Sequence, residues 1–185
     1  MKVSREQVGE NRRRILDEAG RLFRARGFEA VTVAEVMKAA GLTHGAFYGH
    51  FQSKDDLIAQ TLGHVLSQAQ VGDELRPFVD FYLSPHHCGD LAGGCPTAAL
   101  GADTIRQSPQ ARQAMTEGLR QHLQHMTRME SAPDEATRRR QAIGAWSAMV
   151  GAVILARLSD DPALSEEVLA QTRAWIDEST SASAD

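Results

Sequence analysis

An all-α fold follows from three features of this 185-residue sequence. Apolar residues recur at three- and four-residue spacing along most of the chain. No segment alternates apolar and polar as a half-buried strand would. Alanine, the strongest helix former, is abundant, while aromatic residues make up only 5%, so the core must be aliphatic. About nine helices are predicted, short ones first and long ones after, the latter packing as a bundle. At 42% apolar and 24% charged residues, the chain has ordinary globular composition and enough length to bury a core.

The first helix is expected over residues 10–26. Ile15, Leu16, Ala19, Leu22 and Phe23 share one face, arginines fill much of the rest, and Gly27 ends it. Thr32 and Glu35 form a T-x-x-E capping box for a helix of about two turns, with Val33, Val36, Met37 and Ala40 inward and Gly41 as its stop. Thr43 is the expected N-cap of a further short helix. Ser53 and Asp56 repeat the capping spacing before an apolar side of Leu57, Ile58, Leu62, Val65 and Leu66.

Beyond Gly72 the pattern is less regular. Residues 74–83 read as a short or kinked helix, with Pro77 unfavourable in its middle. "SPHHCGDLAGG" reads as a loop. Pro96 suits the first position of a helix to about residue 107, and Ser108-Pro109 start another. "SAPDE" breaks the chain before helices at 135–158 and 162–178. Residues 179–185 are expected to be a disordered tail.

Bulk properties exclude several classes. Two cysteines are too few for a disulfide framework, the N-terminus lacks a signal-peptide core, and the longest uncharged run, 141–156, is shorter than a membrane span needs. These features predict a soluble cytoplasmic protein with no membrane partner. The net charge of −4 divides unevenly: residues 1–54 carry +4 and the remainder −8. A basic head on an acidic body points to a polyanion as partner of the head alone.

The segment "THGAFYGHFQSKDD" (43–56) explains that partner. Helix, capped short helix, Gly-Leu turn and second short helix form a helix-turn-helix, whose second short helix enters the DNA major groove. Its small residues let the backbone approach base edges and phosphates. Phe47 and Phe51 face inward, and His44, Tyr48 and His50 remain outside. Lys54 opens the next helix, where the dipole favours phosphate.

The stretch "RRRILDEAGRLFRARGFEAVTVAEVMKAAGLTHGAFYGHFQSKDDLI", residues 12–58, closely resembles the DNA-binding head of tetracycline-repressor-type (TetR/AcrR) transcriptional regulators. The resemblance rests on the "A..LF...GF" run, "T...V...AG", the aromatic pair before "HF" and the Ser-Lys after it. It implies a homodimeric one-component regulator, a repressor, on a palindromic operator in double-stranded DNA, released by a small-molecule effector. It divides the chain into a helix-turn-helix head (5–52) and a helical ligand-binding and dimerisation body (53–178). Carried over residue by residue, Thr32 touches a phosphate, Thr43, His44, Gly45 and Ala46 face base edges, and Tyr48, His50 and Lys54 hold the DNA backbone. Gly49 departs from the family's usual bulkier residue, leaving specificity to His44, an Ala46 contact with a thymine methyl, and DNA shape.

In the body, helix 135–158 is apolar on two sides and needs two partners. Gly144, Ala148, Gly151, Ala152 and Leu155 form a side suited to a second helix. The last helix offers Leu164, Val168, Leu169, Trp175 and Ile176. The resemblance places the dimer interface on these last two helices, with Ala148, Gly151, Ala152, Leu155, Leu169 and Trp175 as contacts. Phe78, Phe81, Tyr82, Met115, His122, Met126, Trp146 and Met149 are the candidate effector contacts, against the alternative that they fill the core.

"HHCGDLAGGCP" leaves alternatives open. Cys95 precedes Pro96 at a helix start and Cys88 lies nearby as a resolving partner, so the pair suits thiol sensing of oxidants or electrophiles as well as a structural role. His86, His87 and both cysteines match no strong metal pattern, so no metal or cofactor is expected. A Cys/His enzyme is the remote alternative, since no nucleophile-elbow, Walker or zinc-protease motif accompanies them, and the protein is expected not to be an enzyme. An architectural DNA protein is disfavoured by the acidic body.

Overall fold

The computed structural model describes residues 4–69 and 72–181. Among these there is no strand. Nine α-helices run in order: α1 (Arg5–Arg26), α2 (Val33–Ala39), α3 (Lys54–Gln68), α4 (Leu75–Tyr82), α5 (Pro85–Gly89), α6 (Pro96–Thr104), α7 (Pro109–Met129), α8 (Glu135–Leu158) and α9 (Pro162–Ser181). A 3-10 helix, His44–Gly49, lies between α2 and α3. The chain forms two packing units, residues 1–69 with 95–118, and residues 70–94 with 119–185.

In the first unit, α1 begins five residues earlier than the expected start at residue 10, because Ser4 caps it by accepting the Gln7 amide. Phe23, Phe28, Phe47, Ile15, Met37 and Leu57 are fully enclosed, and the same core takes in Leu100 of α6 and Ala111 of α7. The capping box on α2 is complete: Thr32 accepts the Glu35 amide and the Glu35 carboxylate accepts the Thr32 amide. Gly41, at φ 68°, takes the left-handed turn that lets the chain leave α2. The second capping box is only partial, since Ser53 accepts the Asp56 amide while the Asp56 carboxylate takes the Gln52 amide instead.

In the second unit, α8 packs along α9, and α4 and α5 lean on them. Pro77 falls in the first turn of α4, where its missing N–H costs nothing, so the helix is not kinked there. The expected loop at 84–94 contains a helix. Ser84 caps α5 through the His87 amide, and Pro85 occupies its first turn. Arg157 of α8 then clamps this turn, donating to the carbonyls of Cys88 (2.9 Å), Asp90 (3.3 Å) and His87 (3.4 Å). Any Cβ at Gly94 would collide with the Asp90 carbonyl and crowd Arg157, so "GGCP" needs glycine there. Arg173 of α9 ties down α4, donating to the Leu83 carbonyl at 3.0 Å beside Asp80. Helix α9 reaches Ser181, into the segment expected as a tail; residues 182–185 lie outside the described residues.

α8 is long and apolar enough to cross a membrane by length and composition. It lies packed on α9, with one apolar face turned outward, as described below.

Candidate nucleic-acid interface

The helix-turn-helix is held from behind by α1. The Arg12 guanidinium donates to the His50 carbonyl at 2.5 Å, bonds the Gln60 side chain on α3, and lies 4.7 Å over the Phe51 ring. Phe47 and Phe51 stack inward at 5.6 Å, as their spacing predicts. One arginine thus joins three elements at the end of the recognition segment.

That segment is a single six-residue 3-10 helix rather than an α-helix. Glycines at 45 and 49 in so short a piece leave little to stabilise α-helical winding. Thr43, His44, Gly45 and Tyr48 are exposed, Tyr48 at 71%, and its ring meets those of His44 and Phe47 edge-on. Thr43 sits at the N-cap position, but its side chain makes no capping bond. Ala46 is half-buried against the head core. His50 is half-buried too, and burial, then the Arg12 charge, holds its pKa below the usual histidine value. It is therefore neutral at pH 7 and can bond a phosphate only as an N–H donor. Lys54 opens α3, where the helix dipole favours an anion, although Ser53 already caps the Asp56 amide and Asp55 and Asp56 place two carboxylates in the same turn.

Thr32 is exposed at the start of α2, yet its hydroxyl donates to Glu35 at 2.8 Å. Arg26 reaches the same carboxylate at 2.9 Å, and the bond from the Thr32 amide, followed by those from the Thr32 hydroxyl and Arg26, pulls the Glu35 pKa down to about 2. Arg26 and Arg12 are two residues of this site that the motif alone did not indicate. Their signal, arginines on the polar side of α1, is indistinguishable in sequence from a solvated face.

The family model of bacterial regulatory proteins, tetR family, matches residues 15–61. Over 70 residues the chain is 39% identical to the HTH-type transcriptional regulator AcrR of Shigella flexneri, covering 38% of this chain and 32% of that protein. The head of this chain is therefore similar to the DNA-binding heads of TetR/AcrR-type transcriptional regulators. A second relative, the HTH-type transcriptional regulator TtgR of Pseudomonas putida, is 32% identical over 81 residues, covering 40% of this chain and 39% of that one. The chain spans about a third to two fifths of the length of these curated relatives. Solved structures are similar over far more of it. The reduced form of NemR from E. coli has a TM-score of 0.71 at 24% identity, covering 91% of this chain and 96% of that one. A regulator from Agrobacterium tumefaciens has a TM-score of 0.72 at 17% identity, covering 92% and 97%. The fold of the whole chain is therefore that of TetR-family regulators. The matched relatives are HTH-type transcriptional regulators, and the residues matched contain this chain's helix-turn-helix.

Its second unit gathers four of the eight candidate effector residues. Phe78, Tyr82, His122 and Trp146 form one ring cluster, with His122 and Trp146 only 3.8 Å apart and Tyr82 and Trp146 at 5.2 Å. Burial drives the His122 pKa down to about 4, and its buried Nε2 has no hydrogen-bond partner. Met126 and Met149 are fully enclosed core residues. Phe81 is 57% exposed, and Met115 packs against the head core in the first unit, so these two stand apart from the ring cluster.

Of the candidate dimer contacts, Leu155 and Trp175 are exposed, and Ala148 and Gly151 are half-exposed. Ala152 and Leu169 are each 3% exposed and already buried by packing within this chain. The outward apolar surface is larger than expected: Ile143, Ile154, Leu158 and Leu164 join Leu155 and Trp175. Neither Cys88, half-buried, nor Cys95, buried, is part of a disulfide.

Proposed function

We propose that this regulator is a homodimeric, cytoplasmic repressor of the TetR/AcrR type. Its head (5–52) binds a palindromic operator, and its body (53–178) joins the subunits and takes a small-molecule effector that lowers DNA affinity. The observation that carries the reading is the recognition segment: Thr43, His44 and Tyr48 exposed on a 3-10 helix that Phe47, Phe51 and Arg12 anchor from behind. A dimer is supported by the six outward apolar side chains on α8 and α9, because a palindrome requires two heads related by a two-fold axis. An effector with an aromatic or apolar body suits the Phe78, Tyr82, His122 and Trp146 rings. Such a ligand releases DNA if it binds better to the conformation whose recognition segments are wrongly spaced for successive major grooves. The test is selection of genomic fragments by the purified protein at about 0.15 M salt. Recovery of a palindrome is expected; fragments with no shared symmetric sequence would reject the operator reading.

A second trigger is favoured by one observation: the Cys95 sulfur accepts the Ala98 amide at 3.5 Å at the start of α6. In this reading oxidation or alkylation at Cys95, with Cys88 as resolving thiol, releases DNA. Repeating the selection with and without reductant, on wild type and Cys95→Ser, decides it. Unchanged recovery in all four arms would remove the cysteines from the mechanism.

A further inference from the structure

The turn between α7 and α8 carries a cleft chemically unlike the aromatic cluster. It is an open cleft of about 700 Å³ within the second unit, formed by the end of α7, the 130–134 turn and the start of α8. Arg120, Arg128, Arg138 and Arg139 line it, opposed by only two carboxylates, Glu130 and Glu135. Two of the arginines are held in place. Arg138 donates to the Ala132 carbonyl at 2.7 Å, and Arg128 contacts the His125 ring nitrogen at 3.1 Å.

Glu130 is the unusual member. It is 7% exposed, and its Oε1 is buried without a hydrogen-bond partner although arginines line the same cleft. Burial pushes its pKa up. Leaving a buried carboxyl oxygen unsatisfied is costly, whereas an apolar residue of similar size is not. A side chain of this kind beside several guanidinium groups matches a ligand that brings both an oxyanion and a hydrogen-bond donor. The guanidiniums take the oxyanion in forked bonds, and Glu130 takes the donor.

We propose that this cleft binds a small organic oxyanion carrying a hydroxyl or ammonium donor, at a site separate from the aromatic cluster. Hydroxy-carboxylates and phosphate esters of polyols share this chemistry. The size of the cleft suits a metabolite-sized molecule rather than a bare ion.

Calorimetric titration of the full-length protein with malate, succinate and glycerol 3-phosphate tests it. Malate and succinate differ by one hydroxyl, so malate or glycerol 3-phosphate should bind at least about tenfold more tightly than succinate, and whichever does so identifies the source of the anion. Arg139→Ala should weaken that ligand about tenfold or more. Glu130→Leu should erase the preference over succinate; if Glu130 is only structural, the substitution raises thermal stability and leaves the preference intact, which overturns the proposal. So does equal binding of malate, glycerol 3-phosphate and succinate, or binding of none. These readouts need no DNA, so their failure is separable from failure of the repressor reading.

Discussion

Arg12 and His50 are 38 residues apart in sequence, yet the Arg12 guanidinium donates to the His50 carbonyl at 2.5 Å. That carbonyl lies just past the 3-10 helix, where a short winding leaves backbone acceptors unpaired. A charged donor fills the place that a longer helix would have filled with its own amides. The same guanidinium stacks on Phe51, so position and orientation of the recognition segment depend on one side chain.

Arg12→Ala should therefore destabilise the head by about 2 kcal/mol, from a charge-assisted hydrogen bond and a cation–π contact. Urea denaturation measures this. Operator affinity should fall as well, although Arg12 need not touch DNA. An unchanged denaturation midpoint would mean the Phe47–Phe51 stack alone is sufficient.

Lys54 and Tyr48 should separate from His44 in salt dependence. Lys54→Ala is expected to weaken binding to all sequences alike and to reduce the salt slope by about 1. His44→Ala should leave the slope unchanged while relaxing preference at one operator position by about 1–3 kcal/mol. Fluorescence anisotropy from 50 to 200 mM salt distinguishes the two; identical slopes for wild type and Lys54→Ala would place Lys54 away from phosphate.

Much of this head was legible because its signals are local. The Thr32–Glu35 box, Gly41 and the Phe47/Phe51 spacing each act within a few residues, and the structure contains all of them. The fold class and long helices were legible for the same reason. What was not legible depends on distance in the chain. Arg12 to His50 and Arg157 to the 87–90 turn are tertiary, and nothing beside either arginine marks it out. α5 was hidden because Pro85 and Gly89 look like loop punctuation, while in fact the proline starts one turn and the glycine ends it. The burial of Ala152 and Leu169 was hidden because helical spacing gives a face but not which neighbour covers it.

The capping box of α2 sets an acid limit for the head. The Glu35 pKa falls from 4.5 to about 2 through its bonds to Thr32 and Arg26. A carboxylate with a depressed folded-state pKa contributes its full stability above the unfolded value. That contribution is lost as pH falls from about 4.5 towards 2. Glu35→Gln should accordingly be less stable than wild type at pH 6 and nearly equal to it at pH 2, by thermal melts at both. A difference that persists at pH 2 would show that charge is not what Glu35 supplies.

The outward face of α8 and α9 predicts a subunit interface. Leu155 is 58% exposed and Trp175 51%, beside Leu158 at 75%. Glutamate at Leu155 would place charge on that apolar face, at a cost on the order of several kcal/mol if the face is buried. Sedimentation should find wild type as a dimer and Leu155→Glu as a folded monomer with weak operator binding. A variant that sediments like wild type would move the interface elsewhere.

The ring cluster predicts a second pH response, at milder acidity. His122 touches Trp146 and Phe78, its Nε2 has no partner, and burial followed by the charge of His125 lowers its pKa from 6.5 to about 4. The folded state thus refuses a proton that the unfolded chain accepts between those two values. Stability is undiminished above about pH 6.5 and falls as pH drops towards 4. At about 1.4 kcal/mol per unit, the total loss is on the order of 3 kcal/mol. His122→Leu should remove this slope while keeping the packing against Trp146, and it should do so without altering the acid limit set by Glu35. Urea titrations at pH 7, 6 and 5 on both proteins provide the comparison. Parallel pH profiles would mean that His122 takes up its proton as readily in the folded protein as in the unfolded chain, so that burial among the rings does not exclude the charge.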